Sequence, residues 1–275
     1  MKLRKIMYKV DVAIAGLLIG LTWAPAVASA DAGFTPPTTT SATTTTTTNN
    51  TSTSTSSNDA ARLQYIISKG DQEIQRRLDN LNGLQNLINS ATKLTTEDKA
   101  TLGAAVTSTV SGLDNLKTQL DSSTTLAEAK IQVQDMYTEY RVYVLLVPKV
   151  HLVKVADDQQ VIEAKLNELA QKLQTRITEA SSAGQNVSAL TTELNSMTAS
   201  IAVAQKISST IESSVVNLQP SDYNTNHNIL EGDNTQLATA RTDNQAAFAD
   251  AKQIISALKD LKTTNTSSTT TPTTK

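Results

Sequence analysis

One apolar stretch dominates the interpretation of this chain: YRVYVLLVPKVHLVKVADD, from Tyr140 to Asp158. Its run from Val142 to Val155 is about fourteen residues long, whereas an α-helix needs roughly twenty to cross a bilayer. The run also contains Lys149, His151 and Lys154. Its β-branched residues would suit two short strands turning at Pro148. Helical patterns on both sides favour a buried crossing inside a helical fold.

Pro148 predicts where this crossing bends. A proline has no amide hydrogen and its ring clashes with the preceding helical turn, so a helix must end or kink there. The residue before it, Val147, is biased toward extended geometry. We expect most of the run to be buried, with the middle of the bundle filled by Tyr137, Tyr140, Tyr143, Leu145, Leu146 and Leu152. A solvent-exposed hairpin is the competing outcome.

Apolar residues recur at spacings of three and four through most of the remaining chain, which is typical of amphipathic helices. Six stripes lie at 63–88, 102–120, from 125 onward, 155–177, 187–215 and 237–261. Thr95 is a predicted N-cap with Glu97 and Asp98 behind it. Thr125 and Glu128 have the spacing of a capping box. The one loose connection is expected at 218–236, where Pro220 ends the fifth helix.

Short turns between long helices make neighbours antiparallel. The predicted fold class is therefore all-α, an elongated antiparallel bundle of about six long helices with coiled-coil-like packing. The predicted organisation is a signal peptide at 1–30, a disordered Thr/Ser-rich linker at 31–58, the bundle at 59–262, and a disordered Thr-rich tail at 263–275.

The first thirty residues have the pattern of an export signal. Four basic residues precede an apolar run at 12–23, and Ala28-Ser29-Ala30 supplies the small residues that a signal peptidase accepts. Cleavage would remove four basic residues and one acidic residue, which changes the formal net charge from −2 to about −5. That charge argues against a nucleic-acid partner. We expect a secreted, extracellular protein, associated with the cell surface through a means that the sequence does not define.

The Thr/Ser-rich segments have too few apolar residues to form a core. They are interpreted either as a spacer or O-glycosylated stalk, or as plain disordered tails.

The residue pattern gives little indication of catalytic activity. The chain has no cysteine, which excludes thiol catalysis and thiolate metal sites. His151 is expected to be structural and His227 an exposed loop residue, since neither has partners at metal-ligand spacing. Asp157 and Asp158 are adjacent, so on a helix they point in different directions and do not form an acid–base pair. We predict no enzyme activity, no catalytic or metal residues and no cofactor.

Arg76 and Arg77 form a local basic feature beside Glu73. Glu73 and Arg77 are four residues apart, which supports a helix by a few tenths of a kcal/mol. The expected arrangement is a solvated face with one arginine reaching a carboxylate on another helix.

In type, the chain resembles exported all-helical bacterial proteins, a resemblance that carries over no activity. The expected function is a secreted or cell-envelope-associated helical domain with a structural or binding role, whose partner is an envelope component or an extracellular protein. The mature chain is expected to contain no transmembrane helix. The alternative is a membrane-active, pore-forming-like protein that uses the apolar segment 142–155. An unrecognised enzyme is a third possibility.

Overall fold

The predicted all-α fold is confirmed. The computed structural model describes residues 52–267, with side chains from 57 to 262. Within this range there is no strand, and six long helices pack against one another. The elements are α1 (Ser52–Ser90), α2 (Thr96–Asp121), α3 (Leu126–Thr138), a π-helical turn (Val142–Leu146), α4 (Val147–Ser182), α5 (Ser188–Val215), the short α6 (Pro220–Thr225) and α7 (Asp233–Ser267). The elongated, coiled-coil-like character of the bundle stays a prediction.

The predicted helix starts are confirmed at two places. The Thr95 side chain accepts a hydrogen bond from the Asp98 amide, and Glu97 and Asp98 lie in the first turn of α2. Thr125 and Glu128 form both halves of a capping box at the start of α3. These contacts satisfy amides that have no partner inside their own helix.

The long helices form two groups of three. In the first group α1 packs on α2 and α3, and in the second α4, α5 and α7 pack on one another. One hydrophobic core continues from the first group into the start of α4, the end of α5 and the start of α7. The groups therefore share a junction, built around the first third of α4.

Most stripe residues are buried as the spacing predicts. Those of α5 are representative, since Leu194, Met197, Ile201 and Ala204 are each at most 3% exposed. Some stripe positions near helix ends are only half-buried, including Leu63, Ile67, Leu258 and Leu261.

The central run is a core element, as predicted. Val142, Leu145, Leu146, Val150, Leu152 and Val153 are buried, whereas His151 is exposed. Tyr137, Tyr140 and Tyr143 are half-buried, so of the six residues expected to fill the middle, the leucines do so and the tyrosines lie at its edge. The exposed-hairpin alternative is wrong.

The predicted break at Pro148 is wrong in position. The chain bends at Arg141, which is left-handed with φ 44° and ψ 38°. Val147 is helical with φ −63° and ψ −53°, not extended, and Pro148 lies in the first turn of α4. Amides in a first helical turn need no intrahelical partner, and the π turn before it is wider than an α turn, which makes room for the proline ring.

The connection after α5 is more ordered than the sequence predicts. It contains α6, which begins with a capping box between Gln219 and Asp222. Asn224 on α6 accepts a hydrogen bond from Arg141 Nε at 2.6 Å and donates one to the Thr138 carbonyl at 3.0 Å. The Tyr223 ring lies 5.4 Å from the Arg141 guanidinium carbon. These contacts hold Arg141 in a backbone conformation that costs about 1–3 kcal/mol.

The helical range extends slightly beyond the predicted bundle at 59–262. α1 begins at Ser52 and α7 ends at Ser267. Extending an existing helix fixes one residue for each hydrogen bond gained, so a Ser/Thr segment can continue a helix that it would not nucleate. The predicted signal peptide, residues 31–51 of the predicted linker and residues 268–275 of the predicted tail lie outside the described residues.

Two glycines allow helices in the first group to approach closely. A Cβ at Gly70 would collide with the Leu120 side chain and come within 3.2 Å of Val133, and one at Gly112 would collide with the Tyr140 ring. Gly83, also inside α1, has nothing within 4 Å of a Cβ position. Gly70 therefore serves packing between α1, α2 and α3, although glycine weakens an isolated helix.

Candidate functional site

Among residues 57–262, the buried polar residues are concentrated on α4. Five of them lie between positions 149 and 163: Lys149, Lys154, Asp157, Gln159 and Glu163. Burying a polar or charged group costs free energy unless hydrogen bonds or opposite charges replace its water. The partners of these five residues therefore define what this part of the molecule can do.

The two lysines connect α4 to neighbouring chain segments. Lys149 Nζ donates to the Leu218 carbonyl at 2.9 Å, and burial lowers the pKa of Lys149 while the charge of Asp222 opposes this. Lys154 Nζ pairs with Asp158 at 2.8 Å. Lys93, on the turn between α1 and α2, lies 3.9 Å from the same carboxylate. Both lysines have structural partners at the junction.

Three carboxyl groups meet at the junction: Asp98 on α2, Asp157 on α4 and Glu212 on α5. Asp157 Oδ2 accepts a hydrogen bond from the Thr95 amide at 2.9 Å, and the Thr95 hydroxyl donates to Asp98 at 2.5 Å. Burial raises the pKa of Asp157 to about 6, the Thr95 amide opposes that change, and the Asp98 and Glu212 charges add to it. Burial also raises the pKa of Glu212. These carboxyls form a proton-sensitive contact between the two helix groups.

The carboxyl cluster was also considered as a possible metal-binding group. In residues 52–267 no three His, Cys, Asp or Glu side chains are grouped so that they could hold a metal ion.

A second polar cluster lies inside the group formed by α4, α5 and α7. Ser208 Oγ donates to Glu163 Oε1 at 2.8 Å, and Asn244 Nδ2 donates to Gln159 Oε1 at 2.8 Å. Asn244 Nδ2 also lies 3.4 Å from Glu163 Oε1. All four residues are at most 7% exposed. We call Gln159, Glu163, Ser208 and Asn244 the polar layer.

The polar layer is only partly satisfied. Glu163 Oε2 and Asn244 Oδ1 are buried and accept no hydrogen bond in the structure. Burial raises the pKa of Glu163, and its hydrogen bonds from Ser208 and Asn244 oppose that rise. A half-satisfied buried network costs stability relative to an apolar core, so this layer is the strongest candidate for a functional site in the described part of the chain.

A groove reaches the polar layer from the surface between α4 and α5. It has a volume of about 320 Å³ and is lined by Gln160, Glu163, Gln205, Lys206 and Ser209. Of the lining residues, Glu163 is 1% exposed, whereas Gln205, Lys206 and Ser209 are exposed. Gln160 Nε2 is a buried donor without a partner at the same groove.

The arginine pair predicted as a solvated face is arranged differently. Arg77 is 3% exposed, and its guanidinium lies between the rings of Tyr137 and Tyr143, at 4.8 and 5.0 Å. Its carboxylate partner is Glu73 of the same helix, at 2.7 Å. The expectation that the arginine reaches a carboxylate on another helix is therefore wrong, because tyrosine rings provide the contacts between elements.

The residues considered above for catalysis or metal binding lie in different environments in the structure. His151 is exposed on α4, while His227 is exposed in the loop after α6 and contacts the Tyr223 ring edge-on at 5.2 Å. Asp157 points into the junction, and its neighbour Asp158 pairs with Lys154. The two aspartates therefore have different environments, as adjacent helical residues should.

The polar layer is not among the sites predicted above, although the sequence contains a signal for it. Glu163 lies three residues before Leu166, Ser208 three before Ile211, and Asn244 four before Phe248. Each polar residue therefore takes a stripe position on its helix. Three polar residues at stripe positions of three helices that pack together could have predicted a buried layer.

Comparison with known proteins adds no functional information. The chain matches no protein-family model, no curated protein sequence and no solved structure. Among residues 52–267, no helix is long and apolar enough to cross a membrane.

Proposed function

We propose that this protein is an exported, cell-envelope-associated helical domain with a non-catalytic structural or binding role. The observation that carries the proposal is the burial of the segment 142–155 at the junction of the two helix groups. This segment joins the groups into one core, which supports a structural or binding role over a membrane-active one. The signal-like N-terminus and the Thr/Ser-rich tails suggest that the scaffold is displayed outside the cell.

The described surface also suits display. Ser and Thr side chains occupy outward positions on several helices, and many hydroxyls donate to backbone carbonyls of their own helix, as do Thr118, Thr178 and Ser213. Large exposed apolar side chains are scattered: Tyr65, Ile131 and Val203. Single exposed apolar residues do not form an adhesive patch. We therefore expect a soluble spacer or binding module in the envelope.

The alternative, a membrane-active protein, would have to release segment 142–155 from the core. Lys149 and Lys154 would then lose the Leu218 carbonyl and the Asp158 carboxylate. Exposing the six buried apolar side chains of this segment to water would cost about 1.5–3 kcal/mol for each fully buried Val or Leu. The packing supports the scaffold over this alternative.

To test the proposal, the full chain, including its N-terminal segment, is expressed in a bacterial host, and its processing and location are measured. We expect an exported product whose intact mass is that of a chain beginning at Asp31. This product should co-sediment with isolated cell-wall sacculi or with the envelope fraction. A chain with Ala28 and Ala30 changed to leucine is the matched control and should remain unprocessed. The proposal fails if the wild-type chain stays in the cytosol at full mass, or if the purified mature chain releases dye from liposomes.

A further inference from the structure

The groove between α4 and α5 has unsatisfied hydrogen-bonding groups of both kinds at one place. Glu163 Oε2 is a buried acceptor without a donor, and Gln160 Nε2 is a buried donor without an acceptor. The two residues are three positions apart on α4 and therefore lie on the same side of that helix. Both line the groove. A bound molecule that donates to one and accepts from the other would satisfy both.

The charges of the groove residues indicate which functional groups the bound molecule would carry. Glu163 accepts from the Ser208 hydroxyl and the Asn244 amide, and no ion pair joins Glu163 to a cation among the described side chains. A carboxylate buried without a cation is costly, and a bound ammonium group would supply the missing charge. Lys206, at the exposed side of the groove, supplies a positive charge that a carboxylate would pair with.

The size of the groove sets an upper limit on the ligand. Its volume of about 320 Å³ lies at the lower end of the roughly 300–1,000 Å³ range typical of small-molecule sites. Gln205 and Ser209 add polar groups along its wall, so the lining matches a polar ligand of few atoms.

We propose that this groove binds a small zwitterion with the size and charge pattern of a free amino acid, its ammonium group at Glu163 and its carboxylate toward Lys206. Gln160 then donates to an oxygen of the ligand. This inference does not depend on export or envelope association, so either proposal can fail without the other.

The test uses the mature full-length protein, labelled with ¹⁵N, in an NMR titration. Glycine and L-alanine are the zwitterionic probes, ethylamine presents the ammonium group alone, and acetate presents the carboxylate alone. We expect saturable shifts of the Gln160, Gln205 and Ser209 signals with the amino acids, at dissociation constants in the millimolar range. Acetate, which loses the pairing with the buried Glu163, should bind at least about tenfold more weakly than glycine. Ethylamine, which loses the pairing with the exposed Lys206, should bind about two- to fivefold more weakly.

Variants connect the signal to the groove. Glu163→Gln keeps the side-chain shape and removes the negative charge, and Lys206→Gln removes the positive charge from an exposed position. Glu163→Gln should weaken glycine binding by at least about tenfold and the exposed Lys206→Gln by about two- to fivefold. Lys165→Gln, an exposed lysine of α4 outside the groove, should leave glycine binding unchanged. If Glu163→Gln fails to fold, the Lys206→Gln and Lys165→Gln pair decides.

Three outcomes would overturn the inference. In the first, no probe gives saturable shifts, which means that water alone occupies the groove. In the second, ethylamine binds as well as glycine, which removes the role of Lys206. In the third, glycine binds equally well to Lys206→Gln and to the wild-type protein.

Discussion

Asp157 makes the stability of the junction depend on pH. Its carboxyl is 2% exposed and lies close to Asp98 and Glu212, and its pKa rises from 3.8 to about 6 on folding. A raised pKa means that the folded state holds this proton more tightly than the unfolded chain does. The stabilisation from Asp157 is therefore fully present below about pH 4 and is lost as the pH rises through about 6.

The magnitude follows from the change in pKa. At 1.36 kcal/mol per unit, a rise from 3.8 to about 6 corresponds to a contribution on the order of 3 kcal/mol to the free energy of unfolding. Glu163 and Glu212 also have raised pKa values and change stability in the same direction. Comparison with a variant is therefore needed to isolate Asp157.

The perturbation is Asp157→Asn, which keeps an oxygen for the Thr95 amide and removes the titrating proton. Urea unfolding followed by circular dichroism, from about pH 4.5 to about pH 7.5, gives the free energy of unfolding for both proteins. The difference in free energy of unfolding between variant and wild type should shift by about 2 kcal/mol in favour of the variant across this range, because part of the change has already occurred at pH 4.5.

Asp158→Asn is the matched control, because Asp158 is the neighbouring residue and pairs with Lys154. Its free energy of unfolding, measured at the same pH values, gives the effect of replacing an aspartate at this place on α4 while Asp157 is kept. The raised pKa of Asp157 is contradicted if the difference in free energy of unfolding between Asp157→Asn and wild type is constant with pH. It is also contradicted if that difference shifts in favour of the wild-type protein as the pH rises.

Three further substitutions test the packing. Gly70→Ala should lower the free energy of unfolding by about 1–3 kcal/mol, since its methyl group would collide with the buried Leu120 side chain of α2. Gly83→Ala has open space around it and should raise the free energy of unfolding by about 0.5–1 kcal/mol. Equal effects of the two substitutions in urea unfolding would contradict this. Arg77→Lys should cost about 1–3 kcal/mol, because lysine keeps the charge and loses the guanidinium contacts with the rings of Tyr137 and Tyr143. The exposed Arg76→Lys serves as control and should cost less than about 1 kcal/mol. Thr125→Ala should cost about 1 kcal/mol in thermal or urea unfolding by removing the capping box of α3, and a loss no larger than that of the exposed Thr107→Ala would argue against the cap.

Helix positions and core faces could be predicted from the sequence because they depend on local patterns. The Thr95 and Thr125 caps are examples, since a side chain and an amide three residues away determine the helix start. The bend at Arg141 could not be predicted in this way. It depends on Asn224 and Tyr223, which are more than eighty residues away in the chain.

The polar layer shows the same limit for the candidate site. Glu163, Ser208 and Asn244 each interrupt an apolar stripe, which a sequence can show, but their meeting requires the packing of α4, α5 and α7. Arg77 is similar, because its place between Tyr137 and Tyr143 depends on how α3 and the π turn lie against α1. Local patterns predict elements, whereas long-range contacts bring site residues together.

Residues 142–155 form the core of the junction in the folded protein. Hydrogen–deuterium exchange of the mature chain, measured with and without anionic liposomes, distinguishes this buried arrangement from a segment that is free to enter a membrane. Amides of this segment should be among the slowest to exchange, opening only with global unfolding, and liposomes should not change their rates. Fast exchange in solution, or protection that develops only when liposomes are added, would contradict the account.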